Sequence, residues 1–288
     1  MSIVAATRAS ALARWQTDYV ADLLAKAGGP EVAPLLLSTA GDRDKETPLH
    51  VIGGKGVFVK EVQAAVLDGR AQIAVHSSKD LPAETPDGLV ICAVPPRADP
   101  RDSLVGNTLA TLPQGAKVGT GSVRRKVQLL ALRPDLEVVE IRGNIDTRLA
   151  LVGELDAVVM ATAALDRLEI SPEVVERLEV ETMLPQVGQG TLAIECRVDD
   201  HECLEALAMI DDADSHRILD AERSFLIELG GDCDLPAGAY AHLTNDDLVE
   251  VKGMLSDGED QISFETRRGD DGVVAGREVA AHLRERLG

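Results

Sequence analysis

Apolar residues in the first part of the chain fall into short runs and helix-spaced patterns that follow one another. Residues 3–6 form an apolar run, which predicts a short buried strand. Ser10 then stands where a helix cap is expected, and the spacing predicts a helix from there to about Lys26. The apolar positions at helical spacing should face a core, and they are Leu12, Trp15, Tyr19 and Leu23.

The alternation of strand and helix continues to about residue 80. Residues 32–37 predict a second strand, residues 57–67 a helix, and residues 73–75 a third strand that leads straight into His76-Ser77-Ser78-Lys79-Asp80. Strands that alternate with helices in this way are typical of a parallel sheet with helical crossovers. The sequence therefore predicts an α/β domain.

A proline-rich segment at residues 95–100 predicts a break, and a second α/β pattern follows it. Ser122 is placed to cap a helix that runs to Leu132, and Asn144 to cap another that runs to Val152. The strands of this pattern are predicted at 117–118, 136–141 and 157–160. Residues 191–195 read as a strand that returns to the first domain.

The last part of the chain has a different character. A long helix is predicted over residues 215–229 and a final one over 273–287, with short strands at 237–243, 248–255 and 262–266 between them. This pattern predicts a small α+β domain. The expected organisation is domain 1 at 1–96 with 190–210, domain 2 at 97–189, and domain 3 at 211–288.

Charge and composition exclude several classes of partner. The formal net charge is −20, which disfavours non-specific binding to nucleic acid or to an anionic membrane surface. Aromatic residues make up only 2% of the chain, too few for a platform on which bases stack. No apolar run reaches the ~20 residues of a membrane span. We therefore expect neither nucleic acid nor membrane as a partner.

The cysteines indicate a reducing compartment. Cys92, Cys196, Cys203 and Cys233 include no C-x-x-C pair and no tight Cys/His cluster, so neither a metal site nor a disulfide framework is expected. The N-terminus lacks a basic segment followed by an apolar one, so export is not expected either. A cytoplasmic location is the prediction.

The positive side chains of this acidic chain are concentrated in glycine-containing turns. Arg124 and Arg125 follow Gly119-Thr120-Gly121-Ser122, and Arg142 and Arg148 flank Gly143-Asn144. A capped helix N-terminus with guanidinium groups beside it suits a carboxylate or a phosphate. Each turn alone could be an ordinary helix start with surface arginines. Two such turns in equivalent positions favour an anion site.

Asp80 is the one carboxylate among these basic turns. It follows a predicted strand at the end where α/β sheets bind ligands. There it could stabilise a developing cation or transfer a proton. The alternative is a loop ion pair between Asp80 and Lys79, and His76 is more simply explained as a structural histidine.

Two further loops carry candidate chemistry. Gly53-Gly54-Lys55-Gly56 is a glycine loop with one cation, and Phe58 after it fits a core role as well as a ligand contact. Cys233 lies in a loop and is a candidate nucleophile or attachment point, although its aspartate neighbours disfavour a thiolate. The residues alone favour an incidental thiol there.

Together these motifs resemble the hydroxymethylbilane synthase family, also called porphobilinogen deaminase. Each motif is weak alone, but they occur in the family's order over nearly the whole chain. The matching stretches are residues 6–10 with 15–16, 53–61, 76–81, 99–102, 119–125, 142–148, 187–190 with 194–197, and 230–233.

The resemblance implies an α/β protein with two domains like those of periplasmic binding proteins and a small third domain that bears the cofactor. The cofactor is dipyrromethane, joined by a thioether to the loop cysteine, here Cys233. The activity it implies belongs to tetrapyrrole (porphyrin and heme) biosynthesis. Four molecules of porphobilinogen are condensed head to tail with loss of ammonia, and water then releases hydroxymethylbilane.

The resemblance also implies roles for individual residues. Asp80 matches the catalytic carboxylate and contacts the cofactor. The other cofactor-binding positions are Lys79, Ser122, Arg124 and Arg125. The substrate-binding positions are Arg8, Ser10, Lys55, Phe58, Arg142, Arg148, Arg167 and Gln189.

The chain departs from the family pattern at two places. Asp232 stands directly before Cys233, where the family has glycine, and the family's extra lysine is missing near His50. The competing interpretation is a non-catalytic, two-lobed anion- or solute-binding protein, which would need the arginines but not Asp80 or Cys233. A cysteine hydrolase is disfavoured, because the sequence has no obvious histidine partner near Cys233. We expect a monomeric, cytoplasmic enzyme.

Overall fold

The computed structural model describes residues 2–39, 59–231, 235–258 and 261–287. The elements in chain order are β1 (Ser2–Arg8), α1 (Ala11–Lys26), β2 (Glu31–Leu37), α2 (Lys60–Leu67), β3 (Ile73–Ser77), β4 (Leu89–Ala93), β5 (Asp102–Val105), β6 (Lys117–Gly119), α3 (Val123–Leu132), β7 (Glu137–Val139), α4 (Ile145–Leu149), β8 (Ala157–Ala161), α5 (Thr162–Arg167), β9 (Val175–Leu178), β10 (Leu192–Arg197), α6 (His201–Leu207), α7 (Ala213–Glu228), β11 (Ala237–Leu243), β12 (Val249–Ser256), β13 (Ile262–Gly269) and α8 (Gly272–Leu287). None of these helices is long and apolar enough to cross a membrane.

The chain divides into two compact units. The first unit is Met1–Ala98 with Thr191–Leu219, and the second is Asp99–Gly190 with Asp220–Gly288. The described residues of these units form three sheets, of five, five and three strands. The α/β fold class with a small C-terminal α+β part is confirmed. The predicted three-domain boundaries remain a prediction, because the small sheet shares a unit with the second large one.

The sheet of the first unit has the strand order β2-β1-β3-β10-β4. β1 pairs in parallel with both β2 and β3, as predicted. β10 joins this sheet, which confirms the predicted return of the chain, but it runs antiparallel to β3 and β4. The prediction of a parallel sheet is therefore wrong for this strand. Hydrophobic periodicity identifies a strand without giving its direction.

Alternate residues of β1 pack into different cores on the two sheet faces. Ile3 and Ala5 belong to the cluster that includes Val20 and Leu24 of α1. Ala6 belongs to another cluster with Val62 and Val66 of α2. The two-residue period of a strand thus places one helix on each face.

The buried face of α1 agrees only in part with the predicted one, because Tyr19 and Leu23 pack against the core but other residues are buried more completely. Gln16 and Thr17 are buried, whereas Trp15 and Tyr19 are half-buried and stack on each other with ring centroids 5.2 Å apart. The Gln16 amide donates to Ser77 Oγ over 2.7 Å, and the Thr17 hydroxyl donates to the Ala13 carbonyl. These hydrogen bonds stabilise buried polar groups that an apolar pattern does not detect.

The five-stranded sheet of the second unit repeats the arrangement of the first. Its order is β7-β6-β8-β5-β9, with β6 parallel to β7 and β8 and with β5 antiparallel to both neighbours. Ser122 and Asn144 cap α3 and α4 as predicted. However, α4 ends at Leu149 rather than Val152, and the predictions missed β5 and β9.

The antiparallel sheet β11-β12-β13 carries α7 and α8 at very short range. A Cβ atom at Gly253 would lie 2.5 Å from a Val279 methyl group and 2.7 Å from the Phe225 ring. At Gly276 a Cβ atom would overlap the Ala221 carbonyl oxygen and the Ser224 hydroxyl. Glycine at these positions is what allows the two helices to approach each other and the sheet.

Replacement of Gly276 by alanine should destabilise the small α+β part. The added methyl group meets backbone of α7, and overpacking of this kind costs ~1–3 kcal/mol, more than the helix propensity that alanine gains. The free energy of unfolding from urea denaturation measures the effect. The control is Val274→Ala on the exposed side of α8, which should change stability little. A Gly276→Ala chain as stable as the original would contradict the packing described.

Candidate functional site

A pocket in the first unit is formed where β1, α1 and β3 meet. Because β1 and β3 are parallel neighbours, their carboxyl ends lie at the same edge of the sheet. Arg8 is the last residue of β1, and Ser10 caps the helix that follows. Both line the pocket, together with Gln16, Ser77 and Asp80 among others. The pocket thus brings together three of the predicted site residues.

Local hydrogen bonds explain how the walls of this pocket are held. Ser10 Oγ accepts from the Ala13 amide over 3.3 Å, and Thr7 Oγ1 donates to the Ala13 carbonyl. The Gln16 amide reaches across to Ser77 at the end of β3. The start of α1 and the end of β3 are therefore fixed relative to each other, with Arg8 between them.

Asp80 lies on a single 3-10 turn, Ser78–Asp80, directly after β3. The Ser78 amide donates to the Thr191 carbonyl over 3.0 Å, which anchors the turn to the segment before β10. Lys79 and Asp80 are half-buried, whereas Ser78 is buried. The turn leaves the Asp80 carboxylate in the pocket that Arg8 also lines, so that a cation and an anion share one site.

A buried polar group lies behind the pocket. His76 lines the pocket, and its Nε2 atom is 3.0 Å from Oε2 of Glu195, which is completely buried on β10. The Gln63 side-chain amide donates to both oxygens of Glu195. His76 is therefore buried beside a carboxylate of the fold, a position that fits its interpretation as a structural histidine.

The second unit contains a buried charge cluster. Arg124 and Arg125 lie in the first turn of α3, and Asp102 begins β5. Asp102 Oδ2 accepts from Nη2 of Arg124 over 2.7 Å, and Oδ1 accepts from Nη2 of Arg125 over 2.7 Å. The exposed fractions of Asp102, Arg124 and Arg125 are 0%, 2% and 6%. One buried carboxylate thus faces two buried guanidinium groups.

The charges of this cluster determine the protonation of its acid. Burial alone would raise the pKa of Asp102, but the positive charges of Arg124 and Arg125 outweigh burial and hold the pKa well below its usual range. The carboxylate is therefore ionised at neutral pH. With both arginines protonated, the three side chains carry a net charge of +1.

Loop 187–190, defined by Val187, Gly188, Gln189 and Gly190, contacts the same cluster. The Gln189 side chain is completely buried and donates to Asp102 Oδ1 over 2.9 Å and to the Pro100 carbonyl over 2.8 Å. Arg167 is largely buried, and its Nη2 donates to the Gly190 carbonyl over 2.7 Å. The structure thus places Gln189 against Asp102.

The other arginine-bearing turn lies after β7. Because β6 and β7 are parallel, the turns after them lie at the same edge of the sheet. Asn144 caps α4 by accepting from the Thr147 amide, and Arg148 Nε donates to the Gly143 carbonyl over 2.9 Å. Arg142 and Arg148 are half-buried, unlike Arg124 and Arg125. Gly143 has φ 110°, which favours glycine at this position.

Three predicted site residues, Lys55, Phe58 and Cys233, lie outside the described part of the chain. The other three cysteines are free thiols, with Cys196 and Cys203 buried and Cys92 half-buried. Burial raises the pKa of Cys203 to about 12, so this thiol is protonated and unreactive at neutral pH.

The charge cluster fits a ligand that carries carboxylates. Nε of Arg124 is buried and has no hydrogen-bond partner among the residues described. A buried N–H group without a partner is rare in proteins. Together with the net positive charge, it indicates that the cluster is completed by an anionic group. The side chains of a dipyrromethane are of this kind, so the residues present fit the cofactor that the sequence resemblance implies.

Sequence reasoning did not assign a role to Asp102, Glu195 or Gln16. All three lie in motifs that carry the family resemblance, and Asp102 and Glu195 are carboxylates at strand positions. Ionisable residues are almost never buried without a partner. A lone Asp or Glu at an inward strand position therefore indicates a buried cation or donor elsewhere in the chain.

The chain matches family models and known proteins over most of its length. Residues 3–205 match the porphobilinogen deaminase dipyrromethane cofactor binding domain, and residues 217–285 match the porphobilinogen deaminase C-terminal domain. A porphobilinogen deaminase from Brevibacillus brevis is 47% identical over 96% of this chain and 92% of its own. Another, from a Roseiflexus species, is 44% identical over 100% of this chain and 97% of its own.

Solved structures with a related arrangement are much more distant. Immunogenic lipoprotein A from Vibrio vulnificus is 11% identical, with a TM-score of 0.45 over 75% of this chain and 96% of its own. An arginine-specific periplasmic binding protein from Salmonella typhimurium is 14% identical, with a TM-score of 0.41 over 73% of this chain and 91% of its own.

Fold and site together define an α/β enzyme that handles molecules with many carboxylates. The chain belongs to the porphobilinogen deaminase family. Its activity is that of a hydroxymethylbilane synthase, a transferase of tetrapyrrole biosynthesis that condenses four porphobilinogen molecules, and its cofactor is dipyrromethane. The comparisons do not favour the alternative of a non-catalytic solute-binding protein.

Replacement of Asp102 by asparagine should destabilise the protein strongly. It removes the counter-charge of two buried guanidinium groups, a change that typically costs ~3–5 kcal/mol. Urea denaturation at pH 7 measures the loss. The control is Asp135→Asn, which removes a partner of Arg133 from a more exposed pair and should cost much less. Equal losses in the two variants would contradict the described role of Asp102.

The same substitution should change how stability depends on pH. Because the native pKa of Asp102 is lowered, its stabilising contribution is present above the ordinary aspartate value near ~3.9 and is lost as the pH falls below it. Unfolding free energies measured from pH 6 down to pH 2 should therefore fall less steeply in Asp102→Asn than in the original chain. Parallel curves would show that Asp102 does not titrate with folding.

Proposed function

We propose that Asp80 is the catalytic carboxylate of the synthase and that Arg8 and Ser10 bind substrate beside it. The observation that carries this proposal is the pocket of the first unit, which these three residues line together. Porphobilinogen brings carboxylates, and a guanidinium group binds a carboxylate through two parallel hydrogen bonds. Arg8 then orients the substrate, while Asp80 faces its reacting end.

The chemistry assigned to Asp80 follows from its charge. As ammonia leaves the aminomethyl carbon, positive charge develops on the pyrrole of the substrate. A carboxylate already held in place stabilises this charge without the cost of reorganising solvent. The same carboxylate can accept the proton that the pyrrole carbon loses when the new carbon–carbon bond is completed. The 3-10 turn anchored to Thr191 keeps the carboxylate in position.

The arginines of the second unit are proposed to bind the remaining carboxylates. Arg124 and Arg125, with the capping residue Ser122, bind the cofactor, which supplies a pyrrole carbon to which the first substrate is added. Lys79 is proposed as a further cofactor-binding residue. The residues proposed to contact the substrate and the growing chain are Arg142, Arg148, Arg167, Lys55 and Phe58. Gln189, whose side chain is completely buried, is proposed to serve the substrate site by holding Asp102. The net positive charge of the cluster formed by Asp102, Arg124 and Arg125 supports this assignment, and so do the half-buried guanidinium groups after β7.

Location and assembly are also proposals. A cytoplasmic monomer is proposed, without nucleic acid or membrane as partner. The free thiols of Cys92, Cys196 and Cys203 support a reducing compartment. The charge of −20 disfavours anionic polymers and anionic surfaces. Light scattering coupled to gel filtration would test the monomer directly.

Replacement of Asp80 by asparagine should lower kcat by at least ~10²-fold, because the amide provides neither the negative charge nor the proton acceptor. The concentration of porphobilinogen that half-saturates the enzyme should change far less. Asp87→Asn, in the loop before β4, is the control and should keep the original kcat. Turnover by Asp80→Asn at the original rate would overturn the assigned role.

Replacement of Cys233 by serine should abolish the covalent cofactor. Intact mass spectrometry of the original chain, made in cells that synthesise porphobilinogen, should show an adduct of two pyrrole units. The Cys233→Ser chain should have the mass of the bare polypeptide, because a hydroxyl does not form the thioether. Cys203→Ser, which changes a buried thiol, should retain the adduct. An adduct that persists in Cys233→Ser would place the attachment on another residue.

A further inference from the structure

Glu222 of α7 is a completely buried carboxylate whose two oxygens accept hydrogen bonds from different parts of the second unit. The Gly188 amide donates to Oε2 over 2.7 Å, and the Ala241 amide donates to Oε1 over 2.8 Å. One side chain therefore joins loop 187–190 to strand β11.

Of the next two residues of the loop, Gln189 contacts the charge cluster and Gly190 contacts Arg167. The Gln189 side chain donates to Asp102, and the Gly190 carbonyl accepts from Arg167. Gly188 and Gly190 have φ values of 70° and 86°, a backbone conformation that favours glycine. Because these groups are consecutive, the position of the Gly188 amide constrains the positions of Gln189 and Gly190. Glu222 thus acts on Asp102 through a short, defined path.

Strand β11 also contacts the charge cluster, through Gly238 and the side chain of Arg124. A Cβ atom on Gly238 would lie 3.0 Å from Cδ of Arg124 and 2.7 Å from the Pro185 carbonyl oxygen. The backbone of β11 therefore lies directly against the stem of Arg124. Ala241, three residues further along this strand, is the one that Glu222 holds. A shift of β11 along its axis would move the backbone that packs on Arg124.

We propose that Glu222 is a positioning residue for cofactor binding. It fixes loop 187–190 and β11 relative to each other and thereby holds Asp102 and Arg124 in the geometry that receives the carboxylates of the cofactor. The inference rests on the proposed roles of Arg124, Arg125 and Cys233. The helix that carries Glu222 ends at Glu228, five residues before Cys233 in the sequence.

The geometry requires a carboxylate of this length. Two backbone N–H groups point at one side chain, and each of them donates to a different carboxyl oxygen. The isosteric substitution Glu222→Gln directs an amide NH₂ at one of the two and leaves a buried donor unsatisfied. The shorter Glu222→Asp keeps the charge but reaches only one of the two amides at the present backbone positions.

The test is the assembly of the cofactor, followed by intact mass spectrometry. Apoprotein of each variant is incubated with porphobilinogen well below its unfolding temperature, and the gain of two pyrrole units is recorded against time and substrate concentration. For Glu222→Gln we expect the half-saturating concentration to rise about tenfold, the effect of one lost buried hydrogen bond. Glu222→Asp should show a smaller rise. A purely structural role would lower the unfolding temperature and leave this concentration unchanged.

Glu228→Gln is the matched control. It makes the same change of charge on the same helix, at a partly exposed side chain that pairs with Arg284. It should assemble the cofactor as the original chain does. Assembly at the original half-saturating concentration by Glu222→Gln would overturn the inference, and if that variant does not fold, the same result for Glu222→Asp would do so. Absence of any adduct on the original chain would instead overturn the role of Cys233, and the inference with it.

Discussion

The burial of two guanidinium groups against one carboxylate is the constraint on which the site of the second unit depends. A buried charge is tolerated only if it is paired and hydrogen-bonded, and Asp102 accepts from Arg124, Arg125 and Gln189 at once. The excess of positive charge is therefore part of the folded structure. An anionic ligand meets side chains that are already fixed, so that little conformational entropy is lost when it binds.

The two units carry different charged side chains at equivalent edges of their sheets, because they share one topology. In each, three parallel strands bring the turns that follow them to one edge of the sheet. The first unit uses this edge for a cation and an anion in one pocket, Arg8 and Asp80. The second uses it for cations.

Much of the fold could be predicted from the sequence because the local signals are strong. Ser10, Ser122 and Asn144 cap the helices that they are predicted to cap, and the runs of apolar residues mark most strands. Strand direction could not be predicted, since β10 pairs with strands about a hundred residues earlier. The burial of Arg124 and Arg125 could not be predicted either. Arginines after a glycine turn look exposed until the partner, Asp102, is located by the fold.

The place of β10 between β3 and β4 has a consequence for biosynthesis. The second large sheet is built from one continuous stretch, Asp102–Leu178, whereas the first sheet lacks an interior strand until Leu192–Arg197 has been made. On the ribosome the later sheet can be completed before the earlier one. Until β10 is synthesised, β3 and β4 have unpaired edges, and unpaired strand edges are prone to aggregation in a nascent chain.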